Sequence, residues 1–124
     1  MWRLLYVDDE ADIREVARLS LELDGDFQVT LSGEPKRTVA LARELEPDLI
    51  LLDYRMPEMD GLAVRSALLE AEDTADIPVA FLTASAQKHE QRQLLDSGAV
   101  GVIEKPFDPM RLAAQIRDLL DAPQ

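Results

Sequence analysis

The 124-residue sequence contains no cysteine, which excludes a disulfide framework, a thiolate nucleophile and a thiolate metal site. Basic residues are also scarce, because 13 Lys and Arg stand against 25 Asp and Glu, and the formal net charge is -12. This charge repels nucleic-acid phosphates and anionic lipids, so we expect no direct nucleic-acid binding and no membrane contact. No apolar run approaches the ~20 residues of a membrane-spanning helix, and no signal-peptide pattern is present, which favours a cytoplasmic protein.

The length is typical of one domain, and the sequence contains no linker, low-complexity tract or internal repeat. We therefore expect a single domain over residues 1–124, with no output domain. Short apolar segments alternate five times with longer amphipathic stretches, a pattern that predicts an α/β fold with helices packed on a parallel sheet. The predicted strands are residues 3–7, 27–31, 49–52, 79–82 and 101–104.

Helix boundaries follow from caps and breakers. Gly25 ends the first helix, Pro35 lies in the first turn of the second, and Pro47 follows the end of the second. Asp108 and Pro109 are predicted as the N-cap and first residue of the last helix. The apolar stripe of that helix, which we expect to pack on the core, consists of Leu112, Ile116, Leu119 and Leu120.

Polar side chains directly follow four of the five predicted strands. In an open parallel sheet, ligands bind outside the carboxyl ends of the strands, so these residues form a candidate site. The second strand instead precedes Ser32 and Gly33, which places it at an edge of the sheet. The candidate site residues, in chain order, are Asp8, Asp9, Glu10, Asp53, Thr83 and Lys105.

The carboxylates of this cluster indicate a metal ion. Close carboxylates raise one another's pKa unless a cation lies among them, and oxygen ligands without His or Cys favour Mg²⁺, with Mn²⁺ as an alternative. Asp8, Asp9 and Asp53 are too few for a closed cage, and Mg²⁺ commonly adds waters and a phosphate oxygen. Lys105 and Thr83 provide a positive charge and a hydroxyl for a phosphoryl group, and Asp53 is the best candidate for an aspartyl phosphate.

Four motifs resemble the receiver domain of two-component response regulators, such as the chemotaxis regulators. The resemblance covers essentially the whole chain and implies a flavodoxin-like, doubly wound (βα)5 fold with a five-stranded parallel sheet in the order 2-1-3-4-5. The motifs are Asp8-Asp9-Glu10, the run Asp53-Tyr54-Arg55-Met56-Pro57-Glu58-Met59-Asp60-Gly61-Leu62, Thr83-Ala84 and Lys105-Pro106-Phe107.

The resemblance implies a phosphoacceptor domain in a phosphorelay and not an enzyme, although such a domain assists its own phosphotransfer and autodephosphorylation. Asp53 would be phosphorylated by a sensor histidine kinase or a histidine phosphotransfer protein. Mg²⁺ would be held by Asp9, Asp53 and the backbone carbonyl of Arg55, while Asp8 would act mainly through metal-bound water.

The resemblance also assigns the remaining motif residues. Thr83 and Lys105 would contact the phosphoryl oxygens, Ala84 would leave room for them, and Pro106 would follow a cis peptide bond. Phosphorylation would shift the face formed by the fourth helix, fifth strand and fifth helix, which a downstream protein target would bind in trans. A monomer and a weak homodimer are both compatible with this expectation.

Two positions depart from the family pattern. Val102 occupies the position where the family commonly has an aromatic switch residue, so we expect activation to act through backbone or fourth-helix shifts. Arg55, two residues after the phosphoacceptor, and Ser85, two residues after Thr83, flank the entry path of hydrolytic water. We therefore predict that Arg55→Ala changes the lifetime of the phosphoprotein, whereas a purely solvated Arg55 would leave it unchanged.

Two rival functions remain open at this point. A receiver-like module could bind partners without phosphorylation, although the complete acidic, hydroxyl and lysine set argues against it. A haloacid-dehalogenase-type phosphatase also uses an aspartate nucleophile, but that class expects a second acid where this chain has Arg55. A nucleotide-binding function is disfavoured because the sequence has no glycine-rich phosphate loop after the first strand.

Overall fold

The structure, a computed structural model, describes residues 1–121, which form five β-strands, five α-helices and one 3-10 helix. The final three residues of the expected domain, 122–124, lie outside the described residues. In chain order the elements are β1 (Trp2–Val7), α1 (Ala11–Asp24), β2 (Phe27–Ser32), the 3-10 helix (Pro35–Arg37), α2 (Thr38–Leu45), β3 (Leu49–Asp53), α3 (Gly61–Glu70), β4 (Val79–Thr83), α4 (Lys88–Asp96), β5 (Gly101–Glu104) and α5 (Leu112–Asp121).

The five strands form one parallel sheet in the order β2-β1-β3-β4-β5. This confirms the predicted flavodoxin-like (βα)5 fold and the edge position of β2. Each strand end differs from its predicted position by one residue at most. The chain reverses its direction of winding between β1 and β3, so the carboxyl ends of these two central strands form the expected ligand-binding edge.

Two apolar layers sandwich the sheet, because successive side chains of a strand point to opposite faces. Leu4, Leu49 and Leu51 pack against α1 and α5 on one face. Leu5, Ile50 and Leu52 pack on the other face, against α2, α3 and α4. All residues of β3 and β4 are buried, so the strands that end at the candidate site are fixed by packing on both sides.

Helix α4 is attached to the core by little apolar surface. Of its nine residues only Leu94 is buried, and the helix has the polar sequence KHEQRQLLD. Helix α5, by comparison, buries both Leu112 and Ile116. Apolar burial therefore contributes less to the position of α4 than to that of α5.

The predicted start of the last helix was three residues too early. Asp108 caps a turn instead, since its Oδ1 accepts a hydrogen bond from the Met110 N–H at 2.9 Å and its carbonyl accepts from Arg111 and Leu112. Residues 109–111 form this turn, and α5 begins at Leu112. The expected apolar stripe does pack on the core, through Leu112, Ile116, Leu119 and Leu120.

Candidate functional site

The site forms where β1, β3, β4 and β5 end. Val7 pairs with Leu52, so Asp8, which directly follows β1, and Asp53, the last residue of β3, lie side by side. Asp8 is completely buried and Asp53 is 4% exposed, whereas Asp9 is exposed. Oxygens of four carboxylates come within 4.8 Å of one another, and these carboxylates belong to Asp8, Asp9, Glu10 and Asp53.

Lys105 joins the two buried carboxylates. Its Nζ lies 3.1 Å from Oδ2 of Asp8 and 3.3 Å from Oδ2 of Asp53, with Oε1 of Glu10 at 3.8 Å. Burial lowers the pKa of Lys105, but the hydrogen bond to Asp8 and the charges of both aspartates outweigh burial and raise it. Lys105 is therefore an ammonium ion at neutral pH and supplies a fixed positive charge to the site. The peptide bond between Lys105 and Pro106 is cis.

Asp53 carries the most perturbed carboxyl group of the site. Burial and the negative charge of Asp8 raise its pKa to about 6, against the opposing effect of Lys105. Independently of this shift, four clustered carboxylates face the one ammonium of Lys105, so negative charge exceeds positive charge at the site. This excess, together with donors that are all carboxylate oxygens, fits a hard divalent cation such as Mg²⁺.

Tyr6 supports Asp8 from within the core, a contact that we did not predict from the sequence. Its hydroxyl donates to Oδ2 of Asp8 at 3.3 Å, and burial followed by the Asp8 charge raises the pKa of Tyr6 far above its ordinary value. The Glu10 N–H donates to Oδ1 of the same carboxylate at 2.9 Å. The sequence spacing could have indicated this contact, since Tyr6 and Asp8 are two residues apart and residues at this spacing along an extended chain point to the same face of the sheet.

A cavity of about 110 Å³ opens beside Asp53. Thr83 is only 2% exposed, and its Oγ1 accepts a hydrogen bond from the Ser85 N–H at 3.1 Å. Thr83 does not cap α4, which begins five residues later at Lys88. The residues that line the cavity are Glu10, Asp53, Arg55, Thr83, Ala84, Ser85 and Lys105.

The loop after β3 returns tightly to the site. The Gly61 N–H donates to the Tyr54 carbonyl at 2.7 Å, and the Asp60 side chain caps α3 by accepting from the Ala63 N–H. A Cβ atom at Gly61 would lie 2.8 Å from the Asp53 carbonyl oxygen. Glycine at this position therefore allows the loop to pack directly against the Asp53 backbone.

The two positions that depart from the family pattern have different surroundings. Val102 is half-buried in β5 and packs against the apolar layer shared with α4. Arg55 is highly exposed, but its Nη2 forms an ion pair with Oε1 of Glu90 at 3.1 Å. Its guanidinium carbon also lies 5.2 Å from the centre of the Tyr54 ring. Arg55 thus lines the cavity and contacts α4 at the same time.

Comparison with known protein families places the chain in a defined family. Residues 4–117 match the family model described as "Response regulator receiver domain". The chain belongs to this family. Receiver domains carry out phosphorylation-type signalling in two-component systems, interact with histidine kinases and bind Mg²⁺ at an acidic pocket. The predicted family membership is confirmed.

Several relatives resemble this receiver domain over nearly its whole length. The DNA-binding dual master transcriptional regulator RpaA of Synechocystis sp. is 42% identical over 120 residues, covering 97% of this chain and 49% of RpaA. A response regulator structure from Desulfuromonas acetoxidans has a TM-score of 0.87 at 32% identity, with 97% of both chains covered. Chemotaxis protein CheY4 of Vibrio cholerae has a TM-score of 0.87 at 26% identity, covering 96% of this chain and 98% of CheY4.

The receiver domain spans about half the length of the curated relatives it matches. RpaA is named a DNA-binding regulator. The prediction of no direct nucleic-acid binding, which was based on the net charge of -12, is therefore not confirmed. Within residues 1–121, no helix has the length and apolar character needed to cross a membrane.

Proposed function

We propose that this receiver domain accepts a phosphoryl group on the Asp53 carboxylate from a phosphohistidine of a cytoplasmic sensor histidine kinase or phosphotransfer protein. The supporting observation is the position of Asp53. Its buried carboxylate borders a cavity of about 110 Å³ and lies 3.3 Å from the Lys105 ammonium. An incoming phosphoryl group would therefore meet a nucleophilic oxygen and a compensating cation in one small space.

The transfer forms one bond and breaks another. An Oδ atom of ionised Asp53 attacks phosphorus, the P–N bond to the donor histidine breaks, and the imidazole leaves with the electron pair of that bond. The product is a mixed anhydride between the Asp53 carboxyl group and phosphate. The group is lost by a separate hydrolysis, in which a water oxygen attacks phosphorus, the P–O bond to Asp53 breaks with its electron pair left on the carboxylate, and orthophosphate leaves while the water gives up a proton to solvent.

The chain provides fixed charges and donors for this chemistry. Lys105 would bind a phosphoryl oxygen from one side, the Thr83 hydroxyl would donate to another, and the small Ala84 would leave space between them. Asp9, Asp53 and the backbone carbonyl of Arg55 would hold Mg²⁺ or Mn²⁺, with Asp8 acting through bound water. When bound, the ion supplies charge stabilisation for the phosphoryl oxygens.

Phosphorylation would then alter the surface formed by α4, β5 and α5. Thr83 ends β4, and Glu104 pairs with it at the end of β5, so movement of Thr83 toward a phosphoryl group would act directly on this surface. A downstream protein target would bind the altered surface. The absence of an aromatic ring at Val102 implies that α4 itself transmits the change.

Intact mass spectrometry tests the proposal. Incubation with acetyl phosphate and Mg²⁺ should add the mass of one phosphoryl group to the wild-type protein. Asp53→Asn removes the nucleophile with little change in volume and should abolish the addition, as should EDTA. Asp76→Asn removes one exposed carboxylate elsewhere and should leave the addition unchanged.

The failure of phosphorylation would favour the interaction module. If neither acetyl phosphate nor a panel of phosphorylated histidine kinases adds the group to folded protein, the site does not accept phosphoryl groups, and partner binding without phosphorylation becomes the better function. Multiple turnover of a phosphomonoester, abolished by Asp53→Asn, would instead support the phosphatase class.

A further inference from the structure

Glu90 holds Arg55 at the edge of the phosphoacceptor cavity. The side chain of Glu90 is only 12% exposed, whereas that of Arg55 is 79% exposed, and their ion pair joins atoms 35 residues apart in the chain. Within residues 1–121 no second basic side chain forms an ion pair with Glu90. Loss of Arg55 would therefore leave a largely buried carboxylate without its partner, which disfavours the present position of Glu90.

Glu90 lies in the first turn of α4, the helix with one buried residue. Gln91, the next residue, donates through Nε2 to the Ser85 carbonyl at 2.9 Å and to Oε1 of Glu104 at 2.8 Å. The far end of α4 is held by Arg65, which donates to the carbonyls of Ser97 and Gly98 at 3.4 and 3.3 Å. Because apolar burial is small, these polar contacts set much of the helix position.

Arg55 also lines the cavity that Asp53 and Lys105 border. A phosphoryl group on Asp53 would place three acceptor oxygens in this cavity, with a total charge of about -2. A guanidinium binds such a group through two parallel N–H donors, whereas Glu90 now receives one hydrogen bond from Arg55. A phosphoryl group would therefore compete effectively with Glu90 for the same cation.

We propose that Arg55 is a second phosphoryl-binding cation, beside Lys105, and that Glu90 holds it until Asp53 is phosphorylated. Transfer of Arg55 from Glu90 to the phosphoryl oxygens breaks the ion pair and loosens the first turn of α4. The exchange gives this chain, which has Val102 instead of a ring, a direct link from the phosphoacceptor to the output surface. The inference rests on the proposed phosphorylation of Asp53.

The exchange has two measurable consequences, and each has a matched control. Arg55→Gln and Glu90→Gln should each speed hydrogen exchange of amides 91–94, the first hydrogen-bonded N–H groups of α4, about three- to fivefold in unphosphorylated protein, the size of one partly exposed ion pair. Wild-type protein kept phosphorylated by excess acetyl phosphate should show the same increase. Arg43→Gln and Asp73→Asn break an exposed pair with a 2.9 Å contact far from the site and should leave these amides unchanged.

The lifetime of the phosphoprotein separates binding by Arg55 from a structural effect on α4. After donor removal, Arg55→Gln should shorten the lifetime about three- to fivefold, because one phosphoryl-binding cation is lost. Arg55→Lys keeps the charge and should retain part of the lifetime. Glu90→Gln frees Arg55 and should lengthen the lifetime or leave it unchanged, although it loosens α4 as much as Arg55→Gln does.

Two results would overturn the inference. Equal shortening of the lifetime by Glu90→Gln and Arg55→Gln would indicate a general effect of α4. An unchanged lifetime and unchanged hydrogen exchange in Arg55→Gln would show that Arg55 neither binds the phosphoryl group nor holds α4. Failure of the proposed function looks different, since wild-type protein would then show no phosphoryl mass at all. In that case both the phosphorylation of Asp53 and the exchange of Arg55 are overturned. If Asp53 is phosphorylated normally but Arg55 variants behave like wild type, only the exchange of Arg55 is overturned.

Discussion

Asp53 is kept in a pocket where its own ionisation is unfavourable. Its pKa is raised from an ordinary value of 3.8 to about 6, chiefly by burial and then by Asp8. A raised pKa in the folded state means that Asp53 stabilises the fold below about pH 4, and that this contribution is lost as pH rises through about 6. At pH 7 the ionised side chain therefore lowers the free energy of unfolding.

Asp53→Asn should accordingly stabilise the protein at neutral pH. We expect the free energy of unfolding at pH 7 to rise by about 1–2 kcal/mol, because the amide has no charge to bury. Urea denaturation in EDTA measures this change, and the gain should shrink below pH 4. The exposed Asp76→Asn should change stability little at either pH, and an equal gain from it would contradict the assignment to the pocket.

Asp9 offers a second prediction, at the proposed metal site. If Mg²⁺ binds the folded state at the proposed site, then at ten times its Kd it should add about 1.4 kcal/mol to the free energy of unfolding. Asp9→Asn should remove most of this Mg²⁺-dependent gain because one carboxylate ligand is lost. Thermal denaturation with and without Mg²⁺ compares the two proteins. A full Mg²⁺ response in Asp9→Asn would exclude Asp9 as a ligand.

Single residues differ in how far the sequence reveals them. Asp8, Asp53, Thr83 and Lys105 were found because each follows a predicted strand, and parallel strands bring their carboxyl ends together. The partner of Arg55 could not be found in this way. Glu90 lies 35 residues away inside a helix, and which helix faces the loop depends on packing that no local spacing encodes.

Among the elements, α4 depends on one apolar anchor. Leu94→Ala should lower the free energy of unfolding by about 2–4 kcal/mol, since it leaves a cavity under the only buried residue of the helix. Leu95→Ala is a matched control because Leu95 is 46% exposed, and it should cost about 0.5 kcal/mol or less. Urea denaturation of both variants provides the test, and equal losses would contradict the packing described.

Strands were easier to predict than helix starts. Apolar runs such as those of β3 and β4 have clear limits because a charged or hydroxyl residue follows the last apolar one. The start of α5 was misplaced because an Asp-Pro pair suits both a helix cap and a turn. The strand order came from the family resemblance, since alternating segments alone leave several sheet orders open.

At the scale of the whole molecule, one sheet joins two apolar layers. Leu21 and Leu68 are both completely buried, but they belong to opposite layers. If the chain unfolds as one unit, Leu21→Ala and Leu68→Ala should each lower the free energy of unfolding by about 2–4 kcal/mol. The urea midpoint should fall accordingly, and the m-value should stay unchanged. A two-step transition in either variant would show that the layers unfold separately.

The Lys105–Asp8 contact joins residues 97 apart, at nearly opposite ends of the chain. A growing chain on the ribosome therefore possesses Asp53, the proposed phosphoacceptor, long before it possesses the ammonium that completes the pocket. Synthesis must deliver β5 before Asp53 has its full set of neighbours, so an interrupted translation product would carry the aspartate but lack the chemistry. Competence to receive a signal thus arises only when the last strand has been added.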